Sequence, residues 1–319
     1  MNPRPPPLLP LPRAQRSGTV AATLLVLLVL AVTQWRALAA VPPSAPVLVV
    51  NSDASVAKYQ EVQNAFKATF GTDGVTELDL AKVGEAGVRR AVAANPGVIH
   101  CIGANAYLAT AKHAKAKPII LSTAINWERF KPLPASTRVI ANELPAGQQL
   151  TLFRHFFPKL QRVGVIYNPA INKQWFAQAV VAGKEVGIEV IGRPVNRSPG
   201  VGPALAELTP KVDVLWLTPD PVVLENEAVV GRYFTGADAA KKPVFAYSAA
   251  FMDLGATLVL APDMPTVGRQ AAAIAQDFAG APAVSAPAGS EVTLNLKRVQ
   301  QYGLELNREA LDAVSNLIR

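Results

Sequence analysis

Short apolar runs alternate along this chain with longer segments in which apolar residues recur every three or four positions. The first run is Val47–Val50, and the spaced pattern follows over Val56–Phe70, where Val62 and Phe66 share one predicted helix face. Fully apolar runs are typical of parallel strands covered on both sides, and the spaced pattern is typical of amphipathic helices. The alternation therefore predicts an α/β fold with parallel sheets.

The same alternation starts again in the middle of the chain. A helix is predicted over Ala146–Phe156, then a strand over Arg162–Tyr167 that Asn168-Pro169 ends. Two such cycles predict two doubly wound parallel-sheet lobes joined by a hinge, an arrangement that can close on a small molecule. Near the C-terminus we expect a linker over Ala279–Gly289 and a closing helix over Arg308–Ile318.

Composition and charge narrow the class of protein. The 319 residues are 50% hydrophobic and 17% charged, which predicts an ordered chain large enough for two lobes. Four arginines in residues 1–39, with no acid, account for half of the net charge of +8, and the remaining basic residues form no long run. Nucleic-acid binding needs clustered Lys and Arg, so the sequence predicts no nucleic-acid partner.

The N-terminus has the pattern of an export signal. Basic residues precede an apolar core over Thr19–Val32, which is short for a membrane span, and Ala37-Leu38-Ala39 supplies small residues at the cleavage positions. We therefore predict that residues 1–39 are a cleavable signal peptide and that the mature protein is periplasmic. An uncleaved membrane anchor is the alternative.

The sequence carries none of the short motifs that mark common enzyme sites. G-x-S-x-G, a phosphate loop ending in Gly-Lys-Ser/Thr, and G-x-G-x-x-G after the first strand are all absent. His100 and Cys101 are adjacent, but no further metal ligand lies near them in sequence, which favours a buried core histidine. We predict a protein that is not an enzyme and has no cofactor or metal.

Open parallel sheets bind ligands beyond the carboxyl ends of their strands. Small polar residues follow the predicted strands at these ends, and Asp220 is placed to receive a ligand ammonium group. The alternative is that many of them only cap helices. The predicted ligand-binding residues are Asn51, Ser52, Asp53, Gly103, Ala104, Asn105, Ser122, Thr123, Tyr167, Asn168, Thr218, Asp220, Tyr247 and Ser248. Trp127 and Trp175 follow cleft loops and could stack on a ligand or pack, whereas Trp216 is expected in the core.

Residues 142–169 read NELPAGQQLTLFRHFFPKLQRVGVIYNP, and this segment resembles the ABC-type substrate-binding proteins of the type I periplasmic binding fold. The best-known members of that family are linked to uptake of tryptophan and related amino acids. The resemblance runs from about Val47 to Leu317. Asp220, Asp263 and Gly268 match the family pattern, whereas STAINWERFKPLPASTRVI replaces the D-P-V and G-G-N-V-T-G motifs of many members.

The resemblance implies a type I periplasmic binding protein-like clamshell. Its first lobe would comprise residues 40–143 with about 265–287, and its second lobe residues 144–264 with about 288–319. Crossovers are expected near Ala141–Pro145, Ala261–Pro265 and Ala283–Gly289.

The resemblance also implies a monomer that captures a small, amino-acid-like ligand and hands it to an inner-membrane ABC permease and its ATPase. A periplasmic ligand-sensing subunit and a divergent doubly wound enzyme are the alternatives.

Overall fold

The computed structural model describes residues 46–319, and the predicted signal peptide over residues 1–39 lies outside that range. Strands and helices alternate along the described chain. The strands are β1 Val47–Asn51, β2 Val75–Asp79, β3 Val98–Ile102, β4 Ile119–Ser122, β5 Thr137–Ile140, β6 Arg162–Tyr167, β7 Glu189–Pro194, β8 Val214–Trp216, β9 Val244–Ala246, β10 Leu258–Pro262, β11 Val284–Ser285, β12 Ser290–Asn295 and β13 Asn316–Ile318. The α-helices are α1 Ala57–Phe70, α2 Leu80–Ala93, α3 Ala104–Ala114, α4 Ala146–Phe156, α5 Pro169–Glu185, α6 Val201–Leu208, α7 Glu227–Ala239, α8 Met264–Gln276 and α9 Leu296–Gln301.

The strands form two separate sheets. The first has the order β11-β5-β4-β3-β1-β2 and is parallel throughout. The second has the order β13-β12-β10-β9-β8-β6-β7, in which only the β10–β12 pairing is antiparallel among the described strands. The predicted α/β class with two doubly wound parallel sheets is confirmed. We call each sheet with the helices packed on it the first and the second lobe.

Each sheet is covered by helices on both faces, as the apolar strands require. In the first lobe, Val50 packs with residues of α2 and α3, while Val49 packs against α1 and α8. In the second lobe, α4 and α5 cover one face and α6 and α7 cover the other. Four buried apolar clusters, two per lobe, therefore hold the fold together.

The chain passes between the two sheets three times. It leaves the first sheet after β5, returns from β10 into α8, and leaves again between β11 and β12. Asp263 starts α8 by accepting a hydrogen bond from the backbone N–H of Thr266 at 2.9 Å. At Gly268 a Cβ atom would lie 2.4 Å from the Val62 carbonyl oxygen, so only glycine lets α8 lie this close to α1.

The predicted closing helix over Arg308–Ile318 is wrong. Residues Arg308–Ala313 form a short 3₁₀ helix, and Asn316–Ile318 then pairs in parallel with β12. The backbone N–H of Ser315 donates to the Val292 carbonyl at 2.9 Å, so the edge of the second sheet captures the chain. The apolar spacing fits a helix equally well, but the open sheet edge offers hydrogen bonds that the sequence pattern does not reveal.

Two short strands of the first sheet, β5 and β11, were not predicted. β5 contains Arg138, whose guanidinium lies over the ring of Phe278 at 4.6 Å, so a charged residue is accommodated inside a strand. β11 has two residues and lies in the segment that was expected to be a linker. Both are too short for a periodic pattern to identify them.

Candidate functional site

A cavity of about 500 Å³ lies between the two lobes, and we call it the interlobe cavity. Its first-lobe side is formed by Asn126, Glu128, Arg129 and Lys131, in and beside the 3₁₀ segment Trp127–Phe130. Its second-lobe side is formed by one face of α5 and by the residues that follow β8 and β9. The crossing segment Asn142–Leu144 closes the cavity between them, so groups from both lobes face the same space.

Aromatic rings form one wall of the interlobe cavity. Trp175 of α5 meets Trp216 of β8 edge to face, with ring centroids 4.9 Å apart, and Tyr247 follows β9 nearby. The indole N–H of Trp216 donates to Gln149 Oε1 at 3.1 Å, and Gln149 Nε2 donates to the Leu144 carbonyl at 2.7 Å. These hydrogen bonds fix the wall to α4 and to the crossing segment.

Glu143 brings a carboxylate into the same cavity. Its Oε1 accepts a hydrogen bond from the backbone N–H of Asn126 at 2.8 Å. Burial raises the pKa of Glu143 to about 7 and the charge of Glu128 adds to the rise, while the Asn126 amide opposes it. Burial also raises the pKa of Tyr247 to about 12, and the charge of Glu143 contributes to that rise. Glu143 is therefore an acid that can lose or keep its proton near neutral pH.

Asn126 connects the lobes directly. Its side-chain amide donates to the Pro219 carbonyl, after β8, at 2.9 Å. Its backbone has φ 52° and ψ 47°, in the left-handed region that non-glycine residues seldom occupy. Thr123, in the same loop, also has a positive φ of 57°. This loop conformation places the Asn126 side-chain amide so that it bridges the two lobes.

The predicted first-lobe residues that end β1 and β4 bond to the protein itself. Asn51 is fully buried and donates to Gln63 Oε1 at 2.7 Å. Ser52 Oγ donates to the Ile102 carbonyl at 2.8 Å and accepts from the Ala106 N–H at 3.0 Å. Ser122 Oγ lies 2.9 Å from His100 Nε2. None of these three side chains lines the interlobe cavity.

The other predicted first-lobe residues also lie away from the lining. Asp53 accepts hydrogen bonds within its own loop, and the Thr123 hydroxyl donates to the Ser122 carbonyl. Gly103 has φ 89°, and a Cβ there would lie 2.5 Å from Ser52 Oγ, so the turn into α3 requires glycine. Ala104 and Asn105 begin α3, and Asn105 is exposed.

In the second lobe, Thr218 and Tyr247 line the interlobe cavity, whereas Tyr167 stacks on Phe176 and Asn168 caps α5. Ser248 precedes the 3₁₀ segment Ala249–Phe251 and is half-buried. Thr218 is 5% exposed, and its hydroxyl has no hydrogen-bond partner among residues 46–319. An unpaired buried hydroxyl in a cavity wall is a position where a ligand could bind.

Asp220 is fully buried and does not line the cavity. Its carboxylate accepts hydrogen bonds from the Asn168 N–H at 2.5 Å, Asn172 Nδ2 at 2.7 Å and the Val222 N–H at 2.9 Å. The carboxylate of Asp220 therefore joins the loop after β8 to the start of α5. A contact between Asp220 and a ligand ammonium stays a prediction.

The buried His100 that the sequence predicted is confirmed, and burial lowers its pKa to about 3. Cys101 beside it is also buried, and burial raises the pKa of its thiol to about 12. Within residues 46–319 no group of three or more His, Cys, Asp or Glu is arranged to hold a metal ion. None of the helices in that range has the length and apolar character that a membrane span requires.

Sequence reasoning missed the residues that carry most of the cavity chemistry. Glu143 lies inside the ELP motif, which indicated the family, and it was not among the predicted ligand contacts. Asn126 and Gln149 were also missed, and Trp127 proves to be buried, with Lys131 Nζ 4.6 Å from its ring centre. An acid in a short segment between two predicted sheets was the available signal for Glu143. Trp216 is buried as predicted and also lines the cavity.

Two doubly wound lobes with a cavity between them define a type I periplasmic binding protein-like fold. The chain belongs to the ABC transporter substrate binding protein family, whose model matches residues 47–316. This confirms the resemblance seen in the sequence and makes the chain a solute-binding protein. No curated protein matches the chain.

Solved structures share the fold at low sequence identity. A conserved domain protein from Vibrio cholerae is 21% identical, with a TM-score of 0.57, over 86% of this chain and 99% of that chain. The ABC domain from Streptococcus pneumoniae in complex with L-Trp is 18% identical, with a TM-score of 0.59, over 86% and 100%. The ligand-free, open structure of CD0873, a substrate binding protein with adhesive properties from Clostridium difficile, is 16% identical, with a TM-score of 0.67, over 86% and 99%.

Proposed function

We propose that this protein is the exported solute receptor of an ABC-type uptake system and that it binds its ligand in the interlobe cavity. The observation that carries the proposal is the lining of that cavity, to which both lobes contribute. Glu128 and Asn126 come from the first lobe, and Trp175, Thr218 and Tyr247 come from the second. A ligand held by both sides stabilises the closed arrangement of the lobes more than the open one.

The three crossings between the sheets support a hinge mechanism. Lobe 1 would consist of residues 40–143 with about 265–287, and lobe 2 of residues 144–264 with about 288–319. Three connections permit a bend and resist free rotation, so closure has a limited angle. The Asn126–Pro219 hydrogen bond adds one contact between the lobes that supports this closure.

The size and lining of the cavity support a small organic solute rather than a polymer. A cavity of about 500 Å³ is within the range of small-molecule sites, and its wall combines aromatic rings with a few polar groups. The L-Trp bound to the Streptococcus pneumoniae relative supports an amino-acid-like solute as the first class to test. The same proposal includes delivery of the solute to an inner-membrane permease and its ATPase. It also includes a periplasmic location, a monomeric state and the lack of catalytic turnover.

Mass spectrometry of protein purified from its native host provides the first test of this function. We expect one organic solute to co-purify, to raise the melting temperature when it is added back, and to reduce the radius of gyration in small-angle scattering. Trp175→Ala should weaken the binding of that solute at least tenfold. Val181→Ala is the matched control, because Val181 lies on the same helix, is 59% exposed and does not line the cavity.

Three results would contradict the proposal. One is chemical conversion of the solute by the purified protein, which would favour an enzyme. A second is saturating solute that leaves the radius of gyration unchanged, which would remove the clamshell mechanism. The third is equal weakening by Trp175→Ala and Val181→Ala, which would place the ligand outside the interlobe cavity.

A further inference from the structure

Glu143 is a carboxylate placed in a ligand cavity without a cationic partner. Among residues 46–319 no Lys, Arg or His forms a salt bridge with it. Its hydrogen bond comes from the neutral backbone N–H of Asn126. A carboxylate withdrawn from water is unfavourable unless a positive charge or several donors compensate it. In the free protein, protonation near neutral pH removes this charge, and a cationic ligand would stabilise the ionised form instead.

The two basic residues of the cavity rim are engaged elsewhere. Lys131 Nζ lies 4.6 Å from the ring centre of Trp127, and the Arg129 guanidinium lies 4.8 Å from that of Phe130. Both residues line the first-lobe side and are exposed. They can receive a negative group at the rim, but neither pairs with the carboxylate of Glu143.

The surroundings of Glu143 suit a cation that carries an apolar body. Tyr247 is close enough for its pKa to respond to the charge of Glu143, and Trp175 and Trp216 complete the aromatic wall. Aromatic faces attract organic cations, with an interaction free energy on the order of 0.5–2 kcal/mol that grows as water is excluded. A flat apolar group can cover the rings while an amine reaches the acid.

We propose that Glu143 accepts the ammonium group of a primary amine ligand whose flat apolar body lies against Trp175 and Tyr247. This rests on the proposed function, since it requires the interlobe cavity to be the binding site. It adds the residue that selects for the ammonium group and the pH dependence that this residue gives to binding. Discrimination against an analogue without the amine follows, because the half-buried carboxylate of Glu143 would then have no cationic partner.

The proposal makes binding dependent on pH. The groups that share the cavity with Glu143 are Glu128, Arg129 and Lys131 on the first-lobe side and Tyr247 on the second-lobe side. With a pKa of about 7 in the free protein, Glu143 is mostly protonated at pH 5.5 and must lose its proton to bind an ammonium. Affinity for the amine therefore rises with pH and levels off above neutrality, by roughly 30-fold between pH 5.5 and pH 8.5.

Three indole compounds that differ at one group test the inference. Tryptamine carries an ammonium, tryptophol a hydroxyl and indole-3-acetate a carboxylate. Calorimetric titration should give tryptamine at least tenfold tighter binding than either of the others at pH 8. Glu143→Gln should remove that preference and the pH dependence while leaving tryptophol affinity within about twofold. Glu61→Gln is the matched control, because it removes an exposed acid of the first lobe that does not line the cavity, so the preference for tryptamine should persist.

The outcomes test the role of Glu143 separately from the proposed function of the interlobe cavity. Equal binding of tryptamine and tryptophol by the unaltered protein, or an unchanged preference in Glu143→Gln, overturns the role of Glu143 but leaves the cavity as a binding site. Failure of all three compounds to bind at millimolar concentration also overturns the inference. The proposed function is then tested separately, by whether Trp175→Ala weakens the binding of a co-purified solute. A co-purified solute without an amine would contradict the inference and support the function.

Discussion

The two sides of the cleft use polar side chains in opposite ways. At the strand ends of the first lobe, Asn51 and Ser52 are buried and hydrogen-bonded to other residues of that lobe. On the other side, Thr218 lines the cavity with a hydroxyl that has no partner in the described part of the chain, and the crossing segment brings in Glu143, which no described cation pairs with. The residue that follows a parallel strand therefore stabilises the fold after β1 of the first lobe and faces the interlobe cavity after β8 of the second.

Trp216→Ala should produce the largest effect. Trp216 is 1% exposed and packs on Phe153 and Trp175, so its removal should lower the free energy of unfolding by about 3–5 kcal/mol. Trp175→Ala should lower the free energy of unfolding by only about 1 kcal/mol, because Trp175 is half-buried. Relative to its loss of stability, Trp175→Ala should weaken ligand binding more than Trp216→Ala does. Urea denaturation measures both losses of stability. Equal stability losses would mean that the aromatic wall is core throughout.

Asp220→Ala should come next, with a loss of about 3 kcal/mol in the free energy of unfolding. The substitution leaves the Asn168 N–H, Asn172 Nδ2 and the Val222 N–H without their acceptor. Thr218→Val, two residues away, should leave stability nearly unchanged, because the Thr218 hydroxyl has no partner to lose. Thermal and urea unfolding of both variants are the measurement. An unchanged Asp220→Ala stability with lost affinity would instead support the ligand contact predicted from the sequence.

Ser52→Ala tests the first-lobe side directly. Its hydroxyl both donates to the Ile102 carbonyl and accepts from the Ala106 N–H, so the variant should lose about 2 kcal/mol of stability. Affinity for the co-purified solute should stay within twofold, since Ser52 does not line the cavity. Isothermal titration alongside urea denaturation separates the two effects. A large loss of affinity with normal stability would move the binding site to the ends of the first-lobe strands.

Asn126→Gly should have the smallest effect, on the equilibrium between open and closed lobes, because glycine adopts the left-handed backbone of Asn126 without strain. The backbone N–H that serves Glu143 remains, while the 2.9 Å hydrogen bond to the Pro219 carbonyl is lost. One such bond contributes about 1 kcal/mol, so the closed population of the ligand-free protein should fall about fivefold. Small-angle scattering should show a larger radius of gyration. Asn142→Ala is the control, because Asn142 lines the same cavity without bridging the lobes among the described contacts.

The sequence determined the repeated parallel units, because apolar periodicity reflects burial on one or two faces and needs no knowledge of distant partners. It also indicated the family through residues 142–169 and identified His100 as a core residue. Elements of two to four residues such as β5 and β11 have no periodicity to read, and β13 forms only because a sheet edge is open beside it.

The tertiary structure alone decided which polar groups form their hydrogen bonds with other groups of the protein. Asn51, Ser52 and Asp220 were attractive candidates because of their place in the sequence, but each is hydrogen-bonded to at least one residue that lies 12 to 54 positions away. Glu143 shows the converse, since only the packing of the two lobes withdraws it from water beside aromatic rings. A side chain is free to bind a ligand when folding leaves it unpaired, and long-range contacts determine that.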